Sequence, residues 1–148
     1  MQRLLPALVL FALASGCDNK PPASTHRVAL HKKGPDLIEL VPSGGVPPYC
    51  LAFSVAERGV VRQLTMGDEG KSLDCPAGKP IGGVPFRILA TEGKVRIYVF
   101  FSEEKLSAGS VAQQVSELSQ EPNFSVLDLR VPGKVVSDML EYAPGATP

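Results

Sequence analysis

From Lys94 to Ser102 the chain is apolar on both faces that a β-strand presents. Val95, Ile97, Val99 and Phe101 share one side of a period-two alternation, and Tyr98 and Phe100 occupy the other. A strand without a solvent face belongs in the middle of a sheet, covered from above and below. Such a strand needs neighbours on both edges and a second layer, and the rest of the sequence offers them in short, punctuated runs.

His26–Lys32 alternates Val28 and Leu30 with polar neighbours, and Gly34-Pro35 marks a turn into a second short strand, Leu37–Val41. Tyr49–Glu57 places Tyr49, Leu51, Phe53 and Val55 on one face and Cys50, Ala52 and Ser54 on the other, the pattern of a half-buried strand. Arg58-Gly59 turns it into Val60–Met66, a hairpin. Residues 67–83 read as a long polar loop. Val84–Ala90 and Lys94–Ser102 are expected to form a second hairpin around Thr91-Glu92-Gly93. Val126–Val131 and Lys134–Tyr142 read as closing strands around Pro132-Gly133, the latter with a short helix as its alternative.

One helix stands out, from about Ala108 to Ser119. Ser107 caps it, Pro122 ends it, and Val111, Val115 and Leu118 recur at i, i+4 and i+7 as an apolar stripe that core packing explains most simply. Glycine and proline number 14 each, 28 of 148 residues, below the roughly 25–30 % of low-complexity chains. With 44 % hydrophobic residues the chain can bury a real core. The expected architecture is mainly β: a single antiparallel β-sandwich-like domain over residues 26–143, with one short helix (about 108–119) and a loose tail, 144–148.

The first sixteen residues stand apart. Met1 and Arg3 make a basic start, Leu4–Ala14 an apolar core, and Ala14-Ser15-Gly16 a small-residue cleavage site before Cys17. The core is about eleven residues long, short of the roughly 20 that cross a bilayer as a helix. The arrangement resembles the lipobox of bacterial lipoproteins, which implies a signal peptide over 1–16 and a mature chain beginning at a diacylglycerol-linked, acylated Cys17. It departs from the usual pattern at Ala14, where leucine is common. Ordinary secretion with cleavage near Gly16 is the alternative. Residues 17–25 then form a lipidated tether, and several acyl chains at about 0.8 kcal/mol per buried CH2 make a lasting anchor. Asp18 resembles an inner-membrane retention signal of enteric bacteria, and both the inner and the outer membrane stay open as destinations.

Assigning Cys17 to lipid leaves Cys50 and Cys75, an even pair suited to an oxidising compartment, with two free thiols as the alternative. The whole chain balances 15 basic against 15 acidic residues, and removal of Arg3 with the leader leaves about −1 (14 against 15). That balance gives no field to gather nucleic acid. Trp is absent and aromatics are 6 %, which weakens any sugar-stacking surface.

Chemistry-bearing residues are sparse. His26 and His31 are the two histidines, five residues apart on an extended segment, so they point to opposite faces. An envelope hydrolase or metal-dependent enzyme would have to use His31 with Asp36 or Glu39. Asp68, Glu69 and Asp74 lie in one loop but lack the order of a calcium site, with Lys71 among them. Gly44-Gly45 and Gly82-Gly83 read as turns because neither has the setting of a phosphate loop. Asn123-Phe124-Ser125 matches a glycosylation sequon, read as coincidence. No catalytic, metal or cofactor residues are assigned.

The order from Tyr49 to Leu106 (YCLAFSVAE, a glycine turn, GVVRQLT, a polar loop, VPFRILA, a second glycine turn, IYVFFSEEKL) resembles a bacterial domain of unknown function, number forty-three eighty-four in the catalogues. Gly59, Gly93 and Ser102 match its pattern, and Gly67-Asp68-Glu69 departs from it where a proline is expected. The resemblance implies an accessory module of envelope proteins, found in some bacteria beside serine/threonine kinases and in lipoproteins of the myxobacterial kind. The functional expectation is therefore a non-catalytic lipoprotein acting as a binding, sensory or assembly module in the cell envelope. Its partners would be the lipid bilayer and an envelope protein, and it would need no cofactor.

Overall fold

The strand that is apolar on both sides lies at the centre of the molecule. In the computed structural model, which describes residues 25–121 and 128–145, it is β7, Val95–Ser102. It is flanked on one edge by β3 (Tyr49–Ala56) and on the other by β8 (Val135–Tyr142), each paired antiparallel along eight positions. β4 (Val61–Gln63) and β5 (Leu73–Asp74) share the far edge of β3, giving a five-stranded sheet in the order β4-β3-β7-β8 with β5 beside β3. A second antiparallel sheet contains β1 (Val28–Lys32), β2 (Leu37–Pro42) and β6 (Phe86–Arg87), in the order β1-β2-β6. The two sheets pack face to face, a mainly β, sandwich-like domain as expected.

Between the sheets lies the larger core. Val28, Ile38, Leu40, Phe86 and Ile88 face Cys50, Ala52, Ala56, Val95, Ile97, Val99, Phe101, Leu140 and Tyr142. The smaller core covers the opposite face of the five-stranded sheet. There the helix α1 (Ala108–Leu118) lays Ala108, Val111 and Val115 on Leu51, Phe53, Val55, Tyr98 and Phe100. Ser107 caps α1 as expected, its hydroxyl accepting from the Ser110 N–H at 3.4 Å. The helix therefore explains why β7 needs apolar residues on both sides. It also corrects the reading of β3 as half-buried, because Cys50–Ala56 is buried throughout.

Two expected pairings are not formed. Val84–Ala90 and Lys94–Ser102 do not make a hairpin: β6 joins β2 in the other sheet, and β7 pairs with β3 and β8. Around Thr91 the chain makes a 3-10 turn, Ala90–Glu92, in which the Glu92 carboxylate accepts the Leu89 N–H at 3.1 Å. Gly93 then turns at φ 67, ψ −150, a conformation that disfavours any residue with a Cβ, and carries the chain between sheets. The expected strand over Val126–Val131 falls partly outside the described residues, and Asp128–Val131 is not strand. The side-chain amide of Gln114 takes the place of a partner strand there. Its Oε1 accepts the Arg130 N–H at 2.6 Å and its Nε2 donates to the Arg130 carbonyl at 3.0 Å. Lys134–Tyr142 does form a strand, paired to β7 and not to a neighbour in sequence.

Candidate functional site

Cys17, Ala14-Ser15-Gly16 and Asn123-Phe124-Ser125 lie outside the described residues. Cys50 and Cys75 are brought together as a disulfide, with Cα atoms 5.7 Å apart. Both are buried, at 0 % and 2 % exposure, so the bond is screened from solvent reductants. It closes a 25-residue separation and fixes the loop over 67–83 to the start of β3. The Cys75 N–H donates to the Pro48 carbonyl at 2.7 Å, and Ser72 exchanges two bonds with Leu106: its N–H to the Leu106 carbonyl and its Oγ from the Leu106 N–H, each 2.9 Å. The long polar loop is thus sewn to the one end of the sheet where β3 begins and β7 finishes.

At the start of the same loop, Gly67 has a specific reason to be glycine. A Cβ there would stand 2.2 Å from the Lys71 carbonyl oxygen, inside the backbone of the next turn. The acidic residues of the loop do not converge. Glu69 pairs with Lys71 at 3.5 Å and Asp74 with Lys105 at 3.7 Å. Among the described residues no three His, Cys, Asp or Glu side chains are placed to hold a metal ion.

The histidines separate as expected. His31 is exposed on the outer face of the three-stranded sheet, opposite Glu39 in register. The Glu39 carboxylate is bridged to Lys33 at 3.3 Å and that of Asp36 to Arg87 at 3.2 Å, so each candidate base is held by a cation. His26 is not an isolated surface residue. Its Nδ1 bonds to Asp138 Oδ1 at 2.9 Å, and the other oxygen of Asp138 accepts the Val28 N–H at 3.0 Å. Arg27 adds a bond from Nη1 to the Ser137 carbonyl at 3.3 Å. These contacts clasp β1 to β8 where the sandwich would otherwise stand open. Asp138 points between the sheets from an edge strand, a charge that also discourages further strand addition.

A second clasp closes the opposite edge. Arg62 on β4 donates to the Arg87 carbonyl on β6 at 2.7 Å and to Glu92 at 2.8 Å. Sequence reasoning missed both clasps, since each joins residues far apart in the chain. The inward-facing charges on the two edge strands, Arg62 and Asp138, were the available signal.

The outer face of the five-stranded sheet is not covered along its whole length. Where α1 stops, a depression of about 350 Å³ opens, lined by Val55, Glu57, Lys94, Arg96 and Glu141. Val55, Arg96 and Glu141 are register partners on β3, β7 and β8, and they form one row across the sheet. Lys94 and Glu141 satisfy one another at 2.8 Å. The Arg96 guanidinium lies 5.9 Å from the ring centre of Tyr98. Burial raises the Tyr98 phenol above its ordinary pKa, and the Arg96 charge draws it partway back. The depression thus sets two charges of each sign around a buried Val55. No helix among the described residues is long and apolar enough to span a membrane. Comparisons with protein-family models, with curated proteins and with solved structures returned no match.

Proposed function

We propose that this chain is a lipid-anchored protein of the bacterial envelope whose sandwich works as a binding, sensory or assembly module. The observation that carries the reading is the position of Cys17, directly after Ala14-Ser15-Gly16. The Cys50–Cys75 disulfide supports it from another direction. A buried disulfide is at home in an oxidising compartment, and it accounts for the other two cysteines, leaving Cys17 alone for lipid. The docking of His26 and Arg27 on β8 gives such a tether a fixed point of attachment. The resemblance of Tyr49–Leu106 to an envelope-associated domain belongs to the same proposal.

The alternative of a hydrolase or metal-dependent enzyme built on His31 has no observation in its favour among the described residues. Labelling in bacterial cells with a clickable fatty-acid analogue tests the anchor. Label is expected on the wild-type chain and not on Cys17→Ser. Equal labelling of both would overturn the assignment. For the module, photocrosslinking from exposed positions in cells should capture a reproducible partner.

A further inference from the structure

We infer that the depression beside Arg96 is a binding site for a zwitterionic ligand, a short peptide with a free carboxylate and a free ammonium group. The inference deepens the proposal that the sandwich is a binding module, and it rests on that reading. Its basis is the charge left over after internal pairing. Lys94 and Glu141 neutralise one another at 2.8 Å, which leaves Arg96 and Glu57 as the uncommitted pair. Neither makes an ion pair among the described residues.

Their placement suits a ligand carrying both signs. Arg96 stands opposite Val55, and Glu57, in the turn just after β3, donates its backbone N–H to the Lys94 carbonyl at 3.2 Å, so the two charges are diagonal neighbours across one strand pair. A diagonal of this kind spans roughly 7–8 Å between Cα atoms. Val55 lies beneath them, only 1 % exposed, so recognition at this site falls to the two charges. The ring of Tyr98 lies against the Arg96 guanidinium and orders it, so that its fork of donors can meet a carboxylate in two parallel bonds. Across the rim, a Cβ on Gly93 would lie 3.8 Å from the Glu57 carboxylate. That is ordinary van der Waals distance, and Glu57 is itself exposed, so its carboxylate is open to an ammonium group. The volume, about 350 Å³, is that of a dipeptide-sized site.

The test is an NMR titration of the 15N-labelled, disulfide-bonded mature chain carrying Cys17→Ser. The probe is L-alanyl-L-alanine, added up to about 20 mM because a small ligand on an open site binds in the millimolar range. Saturable shifts are expected at the amides of Val55, Glu57, Lys94, Arg96 and Glu141. The C-terminally amidated dipeptide should bind about tenfold more weakly, as should the free dipeptide to Arg96→Gln. Glu57→Gln should bind the free and N-acetylated dipeptides alike. Absence of shifts at these amides, or equal binding of the free and amidated dipeptides, would overturn the site. The ligand comparison decides the matter even if Arg96→Gln fails to fold. Photocrosslinking in cells separates this from the parent reading. A silent titration with a partner captured from His31 sinks this site alone, whereas silence in both sinks the module as well.

Discussion

Between its pairings with β4 and β5, strand β3 has a gap in its ladder, and the gap is filled by a side chain. The Ala52 carbonyl accepts the Leu64 N–H at 2.8 Å, but the Ala52 N–H has no strand opposite it and donates to Thr65 Oγ1 at 3.0 Å. Both residues are buried, Ala52 at 0 % and Thr65 at 1 % exposure. Thr65→Val keeps the shape and removes the acceptor. A buried N–H left without a partner costs about 1–3 kcal/mol. The added methyl returns up to about 0.8 kcal/mol, so the expected net loss is roughly 1–2 kcal/mol. In equilibrium urea unfolding, with a slope near 1.5 kcal/mol per molar, the midpoint should fall by about 1 M. Thr65→Ser keeps the hydroxyl and loses one methyl, so its cost should stay at or below about 1 kcal/mol. Amide exchange separates the two mechanisms: the Ala52 proton should lose protection in Thr65→Val and keep it in Thr65→Ser. A Thr65→Val protein with wild-type stability and a fully protected Ala52 amide would refute the idea that this hydroxyl completes the sheet.

Replacing Cys50 and Cys75 together with alanine should lower stability by about 3.5 kcal/mol for a loop of this length and raise the urea slope, because the unfolded chain becomes less compact; a loss under about 1 kcal/mol in urea titrations would argue that the loop is held without the bond. Gly67→Ala should cost about 1–3 kcal/mol as its Cβ pushes on the Lys71 carbonyl, whereas Gly44→Ala, with nothing within 4 Å, should stay within about 0.5 kcal/mol of wild type in thermal melts. Tyr98 should make the fold alkali-sensitive. Its folded pKa is raised, so above its ordinary pKa of 10.0 the unfolded chain loses the proton first and stability falls as pH rises; Tyr98→Phe should flatten that decline in urea titrations repeated across the alkaline range, and an unchanged decline would assign it elsewhere.

Local pattern was enough to identify faces and insufficient to choose partners. The alternation in Lys94–Ser102 showed a strand covered twice, and the serine before Ala108 with valines at 111 and 115 showed a capped amphipathic helix. Arg58-Gly59 correctly closed β3 onto β4. The hairpin expected around Thr91-Glu92-Gly93 failed because a turn signal says where a chain bends and not which sheet it bends towards. Asp128–Val131 failed for a related reason, since nothing local shows that the side chain of Gln114 will occupy its backbone groups. The candidate site was hidden in the same way. Glu57, Lys94, Arg96 and Glu141 look like ordinary surface charges until the register of three strands sets them in adjacent rows.

The clasp between the first and last strands has a kinetic consequence. Val28 and Asp138 are separated by 110 residues, and β8 also contributes Leu140 and Tyr142 to the core between the sheets. Contacts of such long range are slow to form, because the loop they close has to be ordered before they contribute any stability. A chain emerging amino end first therefore cannot seal its sandwich until its final strand has appeared. Until then β7 lacks the neighbour along one whole edge, and Asp138 is not yet there to meet Val28. The fold stays open through most of its own synthesis and shuts at the last step, when the final strand arrives.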